Sequence, residues 1–99
     1  MRRIANIHPG EVLKEEFLVP MNISVYRLAQ ETGLSQTRLG QIISGKRSIT
    51  AETALKLGQA FRVPAEFWMN LQALYDIEEA ERTFKKDIRR IHPIAASAA

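Results

Sequence analysis

Residues 24–48, SVYRLAQETGLSQTRLGQIISGKRS, constrain this chain more than any other segment. Ser24 and Ser35 each stand before a short helical pattern, with the side chain that accepts an N–H from a helix's first turn. Gly33 falls between the two patterns, where a left-handed residue is needed to end one helix just before the next begins. The segment reads as two short helices, one ending near Thr32 and the other near Ser44, joined by a tight turn. Helices this short do not hold alone, so the rest of the chain must pack around them.

The remaining pattern is also helical, with no strand-like alternation beyond a few residues. Pro9 suits the first turn of a helix and Glu11 complements its dipole. Val12, Phe17 and Leu18 supply apolar positions, and Pro20 is expected to end that helix. Thr50 caps a fourth helix with Ala54, Leu57 and Phe61 as its buried stripe. Pro64 opens a fifth and longer helix, which reaches at least Ile77 and extends towards Arg90. The expectation is an all-α fold of about five helices in one domain over residues 1–99. Its two-helix unit spans about 24–48, its long last helix about 64–90, and a frayed tail 91–99.

The second helix of the central unit has an unusual outer face. At 100° per residue, Leu39, Ile42 and Ile43 share a sector of about 100° and form its core side. The opposite side carries Thr37, Gly40, Gln41 and Ser44, with Gln36 at the exposed first turn. A solvated helix would carry Lys and Glu there. Glycine costs about 1 kcal/mol in a helix, a cost that close approach to another surface would justify. Glutamine can pair bidentately with adenine, and a threonine methyl can pack on that of thymine. Gln36, Thr37, Gln41 and Ser44 are therefore candidate base-reading residues in a DNA major groove.

A second oddity points the same way. Arg27 and Arg38 sit three residues after Ser24 and Ser35, where a capping box would have Glu or Gln. A cation in a first turn opposes the helix dipole by about 0.3–1 kcal/mol. Both make sense if the two helix N-termini face phosphates, where arginine and free N–H groups act together. Ser24, Arg27, Ser35 and Arg38 are thus candidate phosphate contacts, joined by Lys46, Arg47 and Ser48 in the next loop. The plainer alternatives are a helical hairpin with a polar surface, a solvated Arg38, and a Gly40 that packs against another helix.

Charge distribution supports the nucleic-acid reading. The net charge is +3. Through Thr50, seven basic residues (Arg2, Arg3, Lys14, Arg27, Arg38, Lys46, Arg47) meet four acidic ones (Glu11, Glu15, Glu16, Glu31), whereas from Ala51 onward seven meet seven. The whole excess lies with the two-helix unit, as an electrostatic footprint on phosphate requires.

Other classes find little support. The chain has no cysteine, which excludes disulfides and thiolate metal sites. It has no apolar run near the roughly 18 residues of a membrane span and no signal-peptide core after Met1, so a cytoplasmic location is expected. His8 and His92 lie near opposite ends, each before a proline, and His8 reads as a helix-start residue. Glu15 and Glu16 point about 100° apart and form no dyad. There is no phosphate-binding glycine loop or nucleophile motif, so neither an enzyme, a cofactor nor a metal is expected.

On the long last helix, Phe67, Trp68, Leu71, Leu74 and Tyr75 fall in one sector that can pack against the domain. A second stripe of Met69, Ala73, Ile77, Ala80 and Phe84 lies across the helix. A symmetric homodimer would bury it, as palindromic DNA sites require. The alternative is that it packs under the chain's own first helix. Beyond Ile77, Glu78 with Arg82 and Glu81 with Lys85 are spaced as favourable ion pairs of a solvated extension.

The central segment resembles the helix-turn-helix of the phage-repressor (Xre) superfamily, whose fold is lambda-repressor-like. His8-Pro9-Gly10-Glu11, residues 50–55 (TAETAL), and residues 66–72 (EFWMNLQ) with Tyr75-Asp76 resemble the HigA-type, VapI-related antitoxins over about residues 7–77. Val63 departs from that pattern, which more often has Ser or Thr as the cap there. The resemblance implies that Gln36, Thr37 and Gln41 read bases while Ser24, Arg27 and Lys46 hold the backbone. It further implies a dimeric repressor of its own operon, on palindromic double-stranded DNA, that neutralises a small ribonuclease toxin. A stand-alone transcriptional regulator without a toxin is the alternative.

Overall fold

The computed structural model describes residues 6–95; Arg2, Arg3 and the last four residues of the expected tail lie outside it. A helical arm opens the fold as α1 (Pro9–Val12), a π-helical run (Leu13–Leu18) and α2 (Val19–Met21). It is followed by α3 (Val25–Thr32), α4 (Gln36–Ile43), α5 (Ala51–Phe61) and α6 (Ala65–Arg89). With the arm taken as one body, these are the five expected helices.

The arm differs from expectation at Pro20. Proline lacks an N–H and its ring collides with the carbonyl four residues back in an α-helix. Here the helix widens instead of stopping: the Val19 N–H bonds the Lys14 carbonyl, five residues back. The chain passes Pro20 as helix and ends at Asn22, which is left-handed with φ 55°. In the core, Leu13 is fully buried, while Val12 and Phe17 are only partly buried.

Both serine caps form as read. Ser24 Oγ accepts the Arg27 N–H and Ser35 Oγ the Arg38 N–H, each at 3.0 Å. Gly33 takes φ 77° between α3 and α4. Thr50 caps α5, which ends at Arg62 in the left-handed region, without a glycine. At α6 the expected opening is off by one: Pro64 is itself the N-cap, with no side-chain cap bond, and the helix starts at Ala65. The helix runs on to Arg89 through a kink at Phe84, and residues 91–95 carry no helix.

The core joins Leu13, Leu28, Leu39, Ile42, Ile49, Leu57 and Trp68, all with almost no exposed surface. Phe17 lies 4.9 Å from Phe61 and 5.1 Å from Trp68 between ring centres, so the arm, α5 and α6 meet there. The inward stripe of α6 is rolled from the expected one. Trp68 and Gln72 are buried, with Leu71 and Tyr75 partly so, but Leu74 is 66% exposed and Phe67 36%. The largest ring takes the centre of the core, and the helix turns to suit it. The second stripe does not pack under the first helix: Met69, Ala73, Ile77, Ala80 and Phe84 are all exposed in the single chain.

His8 and Gly10 lock the arm onto α4. The neutral imidazole Nδ1 of His8 accepts the Gly10 N–H at 2.9 Å and caps α1. Its ring meets Tyr75 edge-on at 4.8 Å. A Cβ at Gly10 would overlap the Ile42 carbonyl oxygen and come within 2.6 Å of that carbonyl's carbon, so only glycine lets the arm touch the end of α4.

Burial pushes the His8 imidazole below its ordinary value of 6.5, against the opposing pull of the Asp76 and Glu11 carboxylates. The unfolded chain then binds the proton more readily than the fold does. Stability should fall as the pH drops below about 6.5 and level off below the lowered folded value. His8→Asn keeps a cap acceptor that does not titrate. Its melting temperature should change less between about pH 7 and about pH 5 than the wild type's. Equal slopes for the two proteins would show that His8 is not the titrating cap.

Candidate nucleic-acid interface

Helix α4 is held from below by Leu39 and Ile42 and turns a polar face outward. Gln36, Thr37, Gly40 and Ser44 are exposed and Gln41 is half-buried. A Cβ built at Gly40 meets nothing within 4 Å, so this glycine does not serve packing within the chain. Its face is open. Ser44 closes the helix by donating its hydroxyl to the Gln41 carbonyl at 3.2 Å.

Cationic groups gather on two sides of this helix. At the start of α3, Ser24 and Arg27 share a recess with Lys14. Arg27 is exposed and pairs loosely with Glu31, 3.9 Å away. At the start of α5, Arg38, Arg47 and Ser48 line a second recess of about 380 Å³ with the cap residue Thr50. A hydroxyl that accepts a cap bond keeps its own hydrogen to donate outward, so Ser24 and Ser35 can still reach a phosphate oxygen. Lys46 and Ser48 are exposed.

Arg38 has an additional partner that the sequence reading did not foresee. Its Nη1 lies 3.4 Å from a Glu52 oxygen, and the other oxygen of Glu52 accepts from Lys56 Nζ at 2.8 Å. The Lys56 hydrogen bond and charge, followed by the Arg38 charge, hold the Glu52 carboxyl below the usual carboxylate range. The first-turn cation of α4 is therefore also a tie to α5, which offsets its unfavourable place in the helix dipole.

The loop after α4 is fixed at both ends. The Gln41 carbonyl accepts the Lys46 N–H at 2.8 Å, and the Ile42 carbonyl accepts the N–H of Gly45, which is left-handed at φ 81°. At the far end the buried Ile49 N–H donates to Gln72 Oε1 at 2.8 Å, and Gln72 Nε2 donates to Asp76 at 2.9 Å. Gln72 is a positioning residue that sequence reasoning missed. Its signal was present: a glutamine one turn after Trp68 on an inward stripe must find a buried partner. Also missed was the bond from Arg47 Nε to Gln41 Oε1 at 2.9 Å, which joins a residue expected at phosphate to one expected at a base.

Among the described residues no helix is long and apolar enough to cross a membrane. The helix-turn-helix family model matches residues 13–68. Virulence-associated protein I of Dichelobacter nodosus is 42% identical over 92 residues, covering 93% of this chain and 84% of that protein. The Pseudomonas aeruginosa antitoxin HigA, solved with the higBA promoter, is 38% identical with a TM-score of 0.87, over 91% of this chain and 99% of that one. An addiction module antidote protein of the HigA family from Coxiella burnetii is 40% identical with a TM-score of 0.86, over 92% and 100%. The chain belongs to the helix-turn-helix family of DNA-binding regulators, in the branch of the HigA antitoxins and virulence-associated protein I.

Proposed function

We propose that this protein is a non-enzymatic cytoplasmic antitoxin that neutralises a small ribonuclease toxin and represses its own operon by occupying the promoter as a dimer. The observation that carries the DNA half is the outer face of α4: short, uncharged hydrogen-bonding groups around an open Gly40, flanked by cations at two helix starts. Gln36, Thr37, Gln41 and Ser44 face the bases in this reading. Ser24, Arg27, Ser35, Arg38, Lys46, Arg47 and Ser48 face the backbone, with the part of Arg47 refined below. The HigA relatives, one solved with promoter DNA, support both the operator and the toxin as partners.

The two kinds of contact respond differently to mutation. Gln36→Ala should cost about 1–3 kcal/mol on the operator and little on scrambled DNA. Lys46→Ala should weaken both and lower the salt slope by about one. Competition titrations at several salt concentrations read both quantities. An equal loss on both duplexes for Gln36→Ala would remove α4 as the reading element.

The dimer is carried by the exposed stripe Met69, Ala73, Ile77, Ala80 and Phe84. It continues into Ile88, one turn after Phe84 and also exposed. Ile77→Asp or Phe84→Asp should shift the protein towards monomer in sedimentation and weaken operator binding. A wild type that sediments as a monomer at tens of micromolar would overturn this interface.

For the antitoxin half, the product of the neighbouring upstream reading frame should be tolerated in cells only when this protein is co-expressed, and the two should co-purify. A harmless neighbour, or a pair that never associates, would leave a stand-alone regulator.

A further inference from the structure

We infer that Arg47 reads a guanine at the C-terminal end of α4, and that Gln41 is the residue that positions it. The inference rests on the reading of α4 as a groove-binding helix and changes the base it selects. Gln41 alone would favour adenine, since its amide offers one donor and one acceptor side by side. In this structure the Gln41 acceptor is engaged, holding Arg47 Nε at 2.9 Å. A guanidinium has five N–H donors in a fixed plane, so a bond at Nε leaves the Nη1 and Nη2 edge free as a fork. That fork matches guanine O6 and N7 in the major groove.

The other cations near α4 are held differently. Arg27 and Arg38 are paired with carboxylates, Glu31 and Glu52, which offset their charge. Arg47 is held by a neutral amide, which fixes the plane of the guanidinium and leaves its charge intact. An arginine fork can also grip a phosphate bidentately, but the Arg47 fork is tied to Gln41, a residue of the outer side of α4 that faces the bases in the proposed reading. Orientation matters for a bidentate base contact. The backbone under Arg47 is equally constrained: Lys46 is bonded to the Gln41 carbonyl, and Ile49 is bonded to Gln72. Residue 41 thus holds the loop by its carbonyl and the reading side chain by its amide.

Selection of the full-length wild type from a pool of randomised DNA duplexes, repeated with Arg47→Ala, Arg47→Lys and Gln41→Leu, tests this. The wild type should enrich a guanine at one position of each half-site, with a preference on the order of 10- to 100-fold. Arg47→Ala should lose that preference and keep the others. Arg47→Lys should fail to restore it, because lysine brings the charge without the fork. Gln41→Leu should weaken preference at the same base pair, and adding it to Arg47→Ala should change nothing further. Three results would overturn the inference: an unchanged consensus for Arg47→Ala with uniformly weaker binding, full rescue by lysine, or a Gln41→Leu effect at a different base pair. A wild type that enriches no sequence would instead refute the groove-reading function, and with it this inference.

Discussion

Burial of Trp68 between the N-terminal arm and α5, in ring contact with Phe17, sets the position of α6, and through α6 the position of the loop beyond α4. Losing a ring of this kind from a core costs about 3–5 kcal/mol, a large share of the 5–15 kcal/mol that holds a typical domain together. One turn further along the same face, Gln72 catches the Ile49 N–H. The aromatic supplies the energy and the glutamine the register. Leaving that buried N–H without its acceptor would cost about 1–3 kcal/mol and release the segment that carries Lys46, Arg47 and Ser48.

The other end of this arrangement is the contact of Gly10 with the Ile42 carbonyl. The arm approaches α4 at its C-terminal turn, while Leu39 and Ile42 seat it from inside. Helix α4 is therefore fixed from the arm, the core and the following loop at once, leaving its outer side chains as the adaptable part. Rigid presentation would suit the proposed reading role, because a bidentate base contact discriminates only when its geometry is held. His8 belongs to the same device: its cap keeps Gly10 in place, and it holds only while the imidazole is neutral.

Much of this was legible in the sequence, for identifiable reasons. The Ser24 and Ser35 caps and the Gly33 turn are local effects, set by one side chain and the backbone beside it, and they form as read. The polar outer face of α4 follows from helical periodicity. What failed depended on tertiary context. Pro20 looks like a stop because the usual helix cannot pass it, and only the π-helical widening before it lets the chain continue. The roll of α6 was misread because Phe67, Trp68, Leu71 and Leu74 are similar in hydrophobicity. Which one is central depends on the shape of the pocket that Phe17 and Phe61 leave. Pairings between distant positions, such as Arg38 with Glu52, carry no periodic signal at all.

The Arg38–Glu52–Lys56 group bears on how this surface balances affinity against selectivity. Phosphate attraction acts on all DNA alike and grows with each unneutralised cation. A surface crowded with free lysines and arginines would hold the protein on random sequence, where genomic sites are abundant. Here the net charge is only +3, and two of the cations flanking α4 share their charge with Glu31 or Glu52. These exposed pairs contribute little to stability. In the proposed DNA-bound arrangement they would lower the sequence-independent attraction while leaving the polar groups of α4 untouched. With α4 as the proposed reading element, a larger fraction of the remaining affinity would then come from the base edges, where one operator can be told from the rest of the genome.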